Sequence, residues 1–196
     1  MEPTIKILIY IHAFFGGLGL INGLVSIFVK KGSLNHKKSG QIFSYSIVIS
    51  SLISLFVARM THHENLFLFL IGIFTIYLVL AGNRALTLKD KSKIAANWVD
   101  ILISGAMLIT SLVMILLGVI GLLQHSENKL LHLFFGGFGL FLTLKDFQTF
   151  RTFRTNKNAW LKSHIGRMVG ALIASFTAFL VAGLHINAIK IGRAHV

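Results

Sequence analysis

Six long apolar stretches constrain the fold of this chain more than any other feature. Each is bounded by charged residues and is long enough to cross the hydrocarbon core of a bilayer, which takes about 20 residues of helix. They cover residues 5–29, 39–61, 65–83, 94–123, 129–150 and 160–190. Charged residues make up 13% of the 196 residues, against about 25% in soluble domains. The sequence therefore predicts an all-α polytopic membrane helix bundle, with residues 1–196 forming one integral domain in the lipid bilayer.

The basic residues are concentrated in alternate connections between these stretches. Residues 30–38 and 84–93 hold four Lys or Arg each, and residues 145–167 hold six, which together are 14 of the 19 in the chain. The positive-inside rule places these connections in the cytoplasm, and both termini on the periplasmic side of a bacterial inner membrane. The first stretch runs directly into lysines without a small-residue cleavage site, so we expect a retained helix. The net charge of +13 is thus a signal of topology and does not indicate a nucleic-acid partner.

One histidine- and glycine-containing phrase occurs twice. "HAFFGGLG" begins at His12 and "HLFFGGFG" begins at His132, with six of eight positions identical. The helices that follow also echo each other, in "LFVARMTHH" and "FLVAGLHI". We therefore expect a parallel internal repeat of helices 1–2 and 5–6, related by an axis along the membrane normal.

Each copy of the phrase places a histidine at the head of a stripe of small residues on one helix face. The glycines of these stripes are Gly16 and Gly19 after His12, and Gly136 and Gly139 after His132. Such a face can receive a neighbouring helix, as small residues usually do in membranes. It can also receive a porphyrin held by imidazole nitrogens. The sequence leaves both interpretations open.

The positions of the histidines suggest axial ligands for haem b. On the predicted outer side, the pairs at matching depth are His12 with His62 or His63, and His132 with His185. On the cytoplasmic side, His36 and His164 could form a second pair, or could contact lipid headgroups. An alternative is a zinc site, which the outer loops could build from His62, His63 and His125. The chain has no cysteine, which excludes thiolate ligands.

Asp100 is the one carboxylate that we expect inside a span. It lies near the predicted cytoplasmic end of helix 4. It could pair with Arg84 or with a lysine of the preceding loop, or it could relay protons.

Two segments resemble a known family. They are "KGSLNHKKSGQIFSYSIVISSLISLFVA" (31–58) and "WLKSHIGRMVGALIASFTAFLVA" (160–182). They are similar to the paired signatures of a bacterial membrane-protein group, the domain of unknown function numbered 2306. The matching positions are His36, Gly40, His164, Arg167 and Met168. The resemblance implies no activity, although the layout of helices with paired histidines is similar to that of b-type di-haem membrane cytochromes.

Three functions follow from these observations. The first is electron transfer through haem b, with a quinol or a redox protein as partner. The alternative is a non-enzymatic membrane subunit or small transporter, whose histidines line a cavity or bind a metal ion. The third is a zinc-dependent membrane hydrolase, so the sequence does not decide whether the chain is an enzyme.

Overall fold

The computed structural model describes residues 3–60, 64–90, 92–126 and 128–193, with side chains described as far as residue 180. Its helices are α1 (Pro3–Phe28), α2 (Leu34–Val57), α3 (Leu66–Ala85), α4 (Trp98–Leu123), α5 (Lys129–Thr152) and α6 (Ala159–Arg193). A short 3₁₀ turn, Leu86–Lys89, follows α3. All six helices are long and apolar enough to cross a membrane. The predicted all-α membrane bundle is confirmed, and the chain is a multi-pass membrane protein.

Two helices begin directly after a residue whose polar side chain caps the helix N-terminus, and not where the apolar run begins. Ser33 accepts a hydrogen bond from the backbone N–H of His36, so α2 starts at Leu34 and includes the lysines that follow. Asn97 and Asp100 form a capping box, so α4 starts at Trp98. Such reciprocal bonds satisfy backbone N–H groups that the first turn of a helix leaves without partners. The sequence-based starts at 39 and 94 were therefore wrong by four or five residues.

The helices pack as antiparallel neighbours around α3. α1 packs along α2, α4 packs along α5, and α3 contacts α2, α4 and α6. The side chains buried most completely include Phe74 and Leu78 of α3 and Met107 and Met114 of α4. Large apolar side chains on the outer surface stay exposed, as a lipid-facing surface requires. The connections α1–α2, α3–α4 and α5–α6 lie at one end of the bundle, which we call the basic end.

The predicted internal repeat remains a prediction. α1 packs along α2 over most of its length, whereas α5 contacts α6 only sparsely and packs mainly along α4. α1, which carries the first phrase, thus packs mainly on the helix that follows it in sequence. α5, which carries the second phrase, packs mainly on the helix that precedes it.

Candidate functional site

The glycine faces of α1 and α5 are occupied by neighbouring helices. A Cβ atom at Gly19 would lie 2.7 Å from Cδ1 of Ile47 on α2. A Cβ atom at Gly136 would lie 2.9 Å from the backbone nitrogen of Ile115 on α4. Gly16 faces Ser50, and Gly139 faces Ser111 and Met107. The sequence allows either a neighbouring helix or a porphyrin against these stripes, and in the structure a neighbouring helix lies there.

Four histidines share one hydrogen-bond geometry. Each places Nδ1 2.9–3.0 Å from a backbone carbonyl oxygen. The pairs are His12 with Ser50, His36 with Ser26, His132 with Asn128, and His164 with Gly82. Because a carbonyl oxygen only accepts, Nδ1 donates the proton of this bond, and Nε2 takes no part in it. Three of these bonds join two helices, α1 to α2 twice and α6 to α3 once.

Of the predicted histidine pairs, only His36 with His164 lies entirely among the residues whose side chains are described. His62 and His63 lie outside the described residues, and so does the side chain of His185. His36 is tied to α1 and His164 to α3, on separate helix pairs. Haem ligation by these histidines stays a prediction.

The predicted zinc ligands are described only in part. His125 follows the end of α4 with a positive φ of 55° and is exposed. Among the described residues, no group of three or more His, Asp or Glu side chains is placed to hold a metal ion. Zinc binding with His62 and His63 therefore also stays a prediction.

A buried polar cluster that the sequence did not predict joins four helices. Asp146 Oδ1 accepts a hydrogen bond from Arg167 at 2.5 Å. Its Oδ2 accepts from the hydroxyls of Tyr77, at 2.5 Å, and Ser104, at 3.0 Å. Arg167 also donates to the carbonyl of Leu142 at 2.7 Å. We call Tyr77, Ser104, Asp146 and Arg167 the buried quartet; every member is at most 5% exposed.

The buried quartet lies about two helical turns inside the bundle from its basic end. Each member is six to eight residues from the helix end nearest the basic connections, which is about 9 to 12 Å at 1.5 Å per residue. Ionisable residues at such depth are costly, and they commonly mark a pathway for ions or protons.

A narrow crevice joins the buried quartet to the basic end. It is lined by residues of α3, α4, α5 and α6, including Asp146, Ser104, Ser163, Arg84 and Asp100. It offers about 10 Å³ to the centre of a water molecule, which is about the room that one water requires. A water molecule or a proton fits this space, and an organic solute does not.

Asp100 lies at the mouth of the crevice with two cationic partners. Its carboxylate is 2.6 Å from Arg84 Nε and 3.2 Å from Lys93 Nζ. It also accepts the backbone N–H of Asn97 at 2.8 Å. The predicted pairing with Arg84 and a loop lysine is confirmed. Asp146 corrects the expectation that Asp100 is the one carboxylate inside a span.

The sequence contains one signal for the buried quartet, a stripe of residues on one face of α5 that leads to Asp146. From His132, the stripe continues through Gly136, Gly139 and Thr143 to Asp146, fourteen residues further on the same helix face. Asp146 lies in the predicted span 129–150, but it also falls inside the basic segment 145–167, where a count of charges by connection hides it. Arg167 lies in the same segment and is counted among the topology charges, although it is buried.

Comparison with protein-family models, with curated proteins and with solved structures finds no match at any of the three levels.

Proposed function

We propose that this chain is a small non-enzymatic membrane transporter that moves protons, with Asp146 as the proton-accepting group. The observation that carries the proposal is the buried carboxylate of Asp146, which lines a crevice with room for about one water molecule. This corresponds to the transporter interpretation of the sequence, with a carboxylate in the role expected of histidines. The basic end would face the cytoplasm of a bacterial cell.

The geometry couples a proton to the contact between α5 and α6. A proton arriving through crevice water binds an oxygen of Asp146 and leaves a neutral carboxylic acid. Arg167 then loses its anionic partner and keeps its bond to the carbonyl of Leu142. Because α5 and α6 contact each other sparsely elsewhere, loss of this ion pair weakens the attachment of α6 to α5, which the bond from Arg167 to Leu142 on α5 still holds. When the proton leaves Asp146, the ion pair forms again.

Proton flux in proteoliposomes tests the proposal. Purified protein is reconstituted with a trapped pH-sensitive dye, and a potassium gradient with valinomycin drives inward proton movement. We expect flux above that of protein-free vesicles for the wild type. Asp146→Asn keeps the size of the side chain and cannot be protonated, so we expect its flux to fall to the protein-free level.

Asp90→Asn is the matched control. It makes the same chemical change at a fully exposed residue of the α3–α4 connection, and we expect wild-type flux. Equal flux through the wild type and Asp146→Asn, with both proteins folded, would refute the role of Asp146.

Binding of haem b with electron transfer is a second candidate function. The observation that favours it is the imidazole geometry shared by His12, His36, His132 and His164. An Nδ1–H bonded to a carbonyl leaves Nε2 available, as it is in most histidines that ligate metals. The glycine faces do not fit the group, because side chains of α2 and α4 already lie on them. A haem would need another surface beside these imidazoles, and a quinol or a redox protein would then be the partner.

A reduced-minus-oxidised visible spectrum decides this second candidate. Protein expressed with a haem precursor and purified in detergent should give sharp reduced α and Soret bands if two histidines ligate haem. His12→Ala and His132→Ala should each weaken those bands. A featureless spectrum from folded, monodisperse protein would rule the candidate out.

A further inference from the structure

The bundle has a second opening, at the end opposite the crevice. It is a groove of about 380 Å³ between α3, α4 and α5, within the size range of small-ligand sites. Its polar lining includes Asn65, Gln124, Asn128 and His132. Nε2 of His132 is buried and has no hydrogen-bond partner among the described residues. The groove therefore ends at an acceptor that a water molecule could satisfy.

A continuous column of aromatic side chains connects the groove to the buried quartet. Phe67 lines the groove, and its ring centroid is 6.0 Å from that of Phe135. Phe135 is 5.7 Å from Phe74, which is 6.5 Å from Tyr77 of the quartet. Phe67 and Tyr77 are ten residues apart on α3, so the column is about 15 Å long.

The middle of the column is tightly closed. Phe74 is 2% exposed, while Met107 and Ser111 of α4 are completely buried. Gly139 of α5 lies against all three, and a Cβ atom there would be 2.5 Å from Ser111 Oγ and 3.6 Å from Phe74. Phe74 of α3 thus packs against the contact between α4 and α5, three residues from Tyr77 and seven from Phe67 on α3.

We infer that the seam between α3, α4 and α5 is the route of transport, and that Phe74 is its closed gate. This inference rests on the proposed proton transport and adds its path. The crevice at Asp146 is the inner end, and the groove at His132 is the outer end. Transport requires the Phe74 ring to leave its place against Met107 and Gly139, so that water joins the two openings.

Cysteine labelling tests the route directly, because the natural chain contains no cysteine. Single-cysteine variants are placed in the crevice (Ser163→Cys), in the groove (Ser126→Cys) and at the gate (Ser111→Cys). The probe is silver ion, which is about the size of a water molecule, added from one side of oriented vesicles at a time; thiols left free are then counted on the denatured protein. Silver ion reacts with thiolate, which forms where water reaches the sulfur. Ile109→Cys, on the exposed lipid-facing side of α4, is the control that should not react.

We expect Ser163→Cys to react from one side only and Ser126→Cys from the other side only. Ser111→Cys should stay unreacted in the wild-type background and should react when Phe74→Ala is added. If Phe74→Ala does not fold, Phe74→Leu replaces it, with slower labelling in the same direction. Phe141→Ala, an exposed ring on α5, is the matched control and should leave Ser111→Cys unreacted.

The inference is overturned if Ser163→Cys and Ser126→Cys react from the same side, or if Ser111→Cys stays unreacted in both folded Phe74 variants. Labelling measures water access, whereas the vesicle assay measures proton flux. The proposed route and the proposed proton transport can therefore be refuted independently of each other. Flux that depends on Asp146 without the expected labelling would refute the route alone. The expected labelling without proton flux would leave the route standing and refute proton transport.

Discussion

Arg167→Met should strongly destabilise the folded bundle. It leaves Asp146 buried with no cation, and removing one partner of a buried ion pair costs about 3–5 kcal/mol. For a chain of this size, that corresponds to a fall in the melting temperature of roughly 6–20 °C. Unfolding in detergent, followed by the fluorescence of Trp98 and Trp160, measures the change.

A double substitution tests whether the unpaired charge of Asp146 causes the loss of stability. Replacing both partners, as Asp146→Leu with Arg167→Met, removes the buried charges together, and such replacements are often neutral or stabilising. We therefore expect the double variant to be more stable than Arg167→Met alone. A double variant less stable than the single one would mean that the quartet contributes packing or hydrogen bonds that matter more than its charges.

Gly136→Ala should also destabilise the bundle, because its added methyl group meets the backbone of α4. The Cβ atom would lie 2.9 Å from the nitrogen of Ile115 and 3.0 Å from Cβ of Met114 on α4. Neither atom can move without shifting that helix, and overpacking of this kind costs about 1–3 kcal/mol. The same unfolding measurement should show the loss.

The adjacent residue supplies the control for this experiment. A Cβ atom at Gly137 has nothing within 4 Å, so Gly137→Ala should leave stability unchanged or raise it by up to about 1 kcal/mol through helix propensity. Equal effects at the two positions would contradict the close packing of α4 on α5. That result would reopen the glycine face to a flat cofactor.

The fold was predictable from the sequence because the bilayer imposes a simple requirement. A span needs about 20 apolar residues with its backbone bonds satisfied inside the helix, and six such runs are visible directly. The helix starts were less predictable, because they depend on side-chain caps. Ser33 and Asn97 each begin a helix where hydropathy alone does not change sharply.

The candidate site was harder to predict because its members are far apart in sequence. Tyr77, Ser104, Asp146 and Arg167 come from four helices, and of the four only Arg167 is a matching position of the family resemblance. Asp146 and Arg167 also lie beside basic residues that dominate a count of charges by connection. Asp146 and Arg167 become candidates for a functional site only when they are known to be buried. Their burial depends on how α3, α4, α5 and α6 pack, which a count of charges does not show.

The ion pair between α5 and α6 has a consequence for how the protein is made. Arg167 follows Asp146 by 21 residues, so the ribosome synthesises α5 before the cation that will neutralise its carboxylate. At about 5–20 residues per second, Asp146 waits roughly one to four seconds for its partner. During that interval the aspartate enters the bilayer as the neutral acid, or stays at the insertion machinery until α6 arrives. Insertion of α5 is therefore completed by a charge-pairing step, in which α6 supplies the cation for the helix before it.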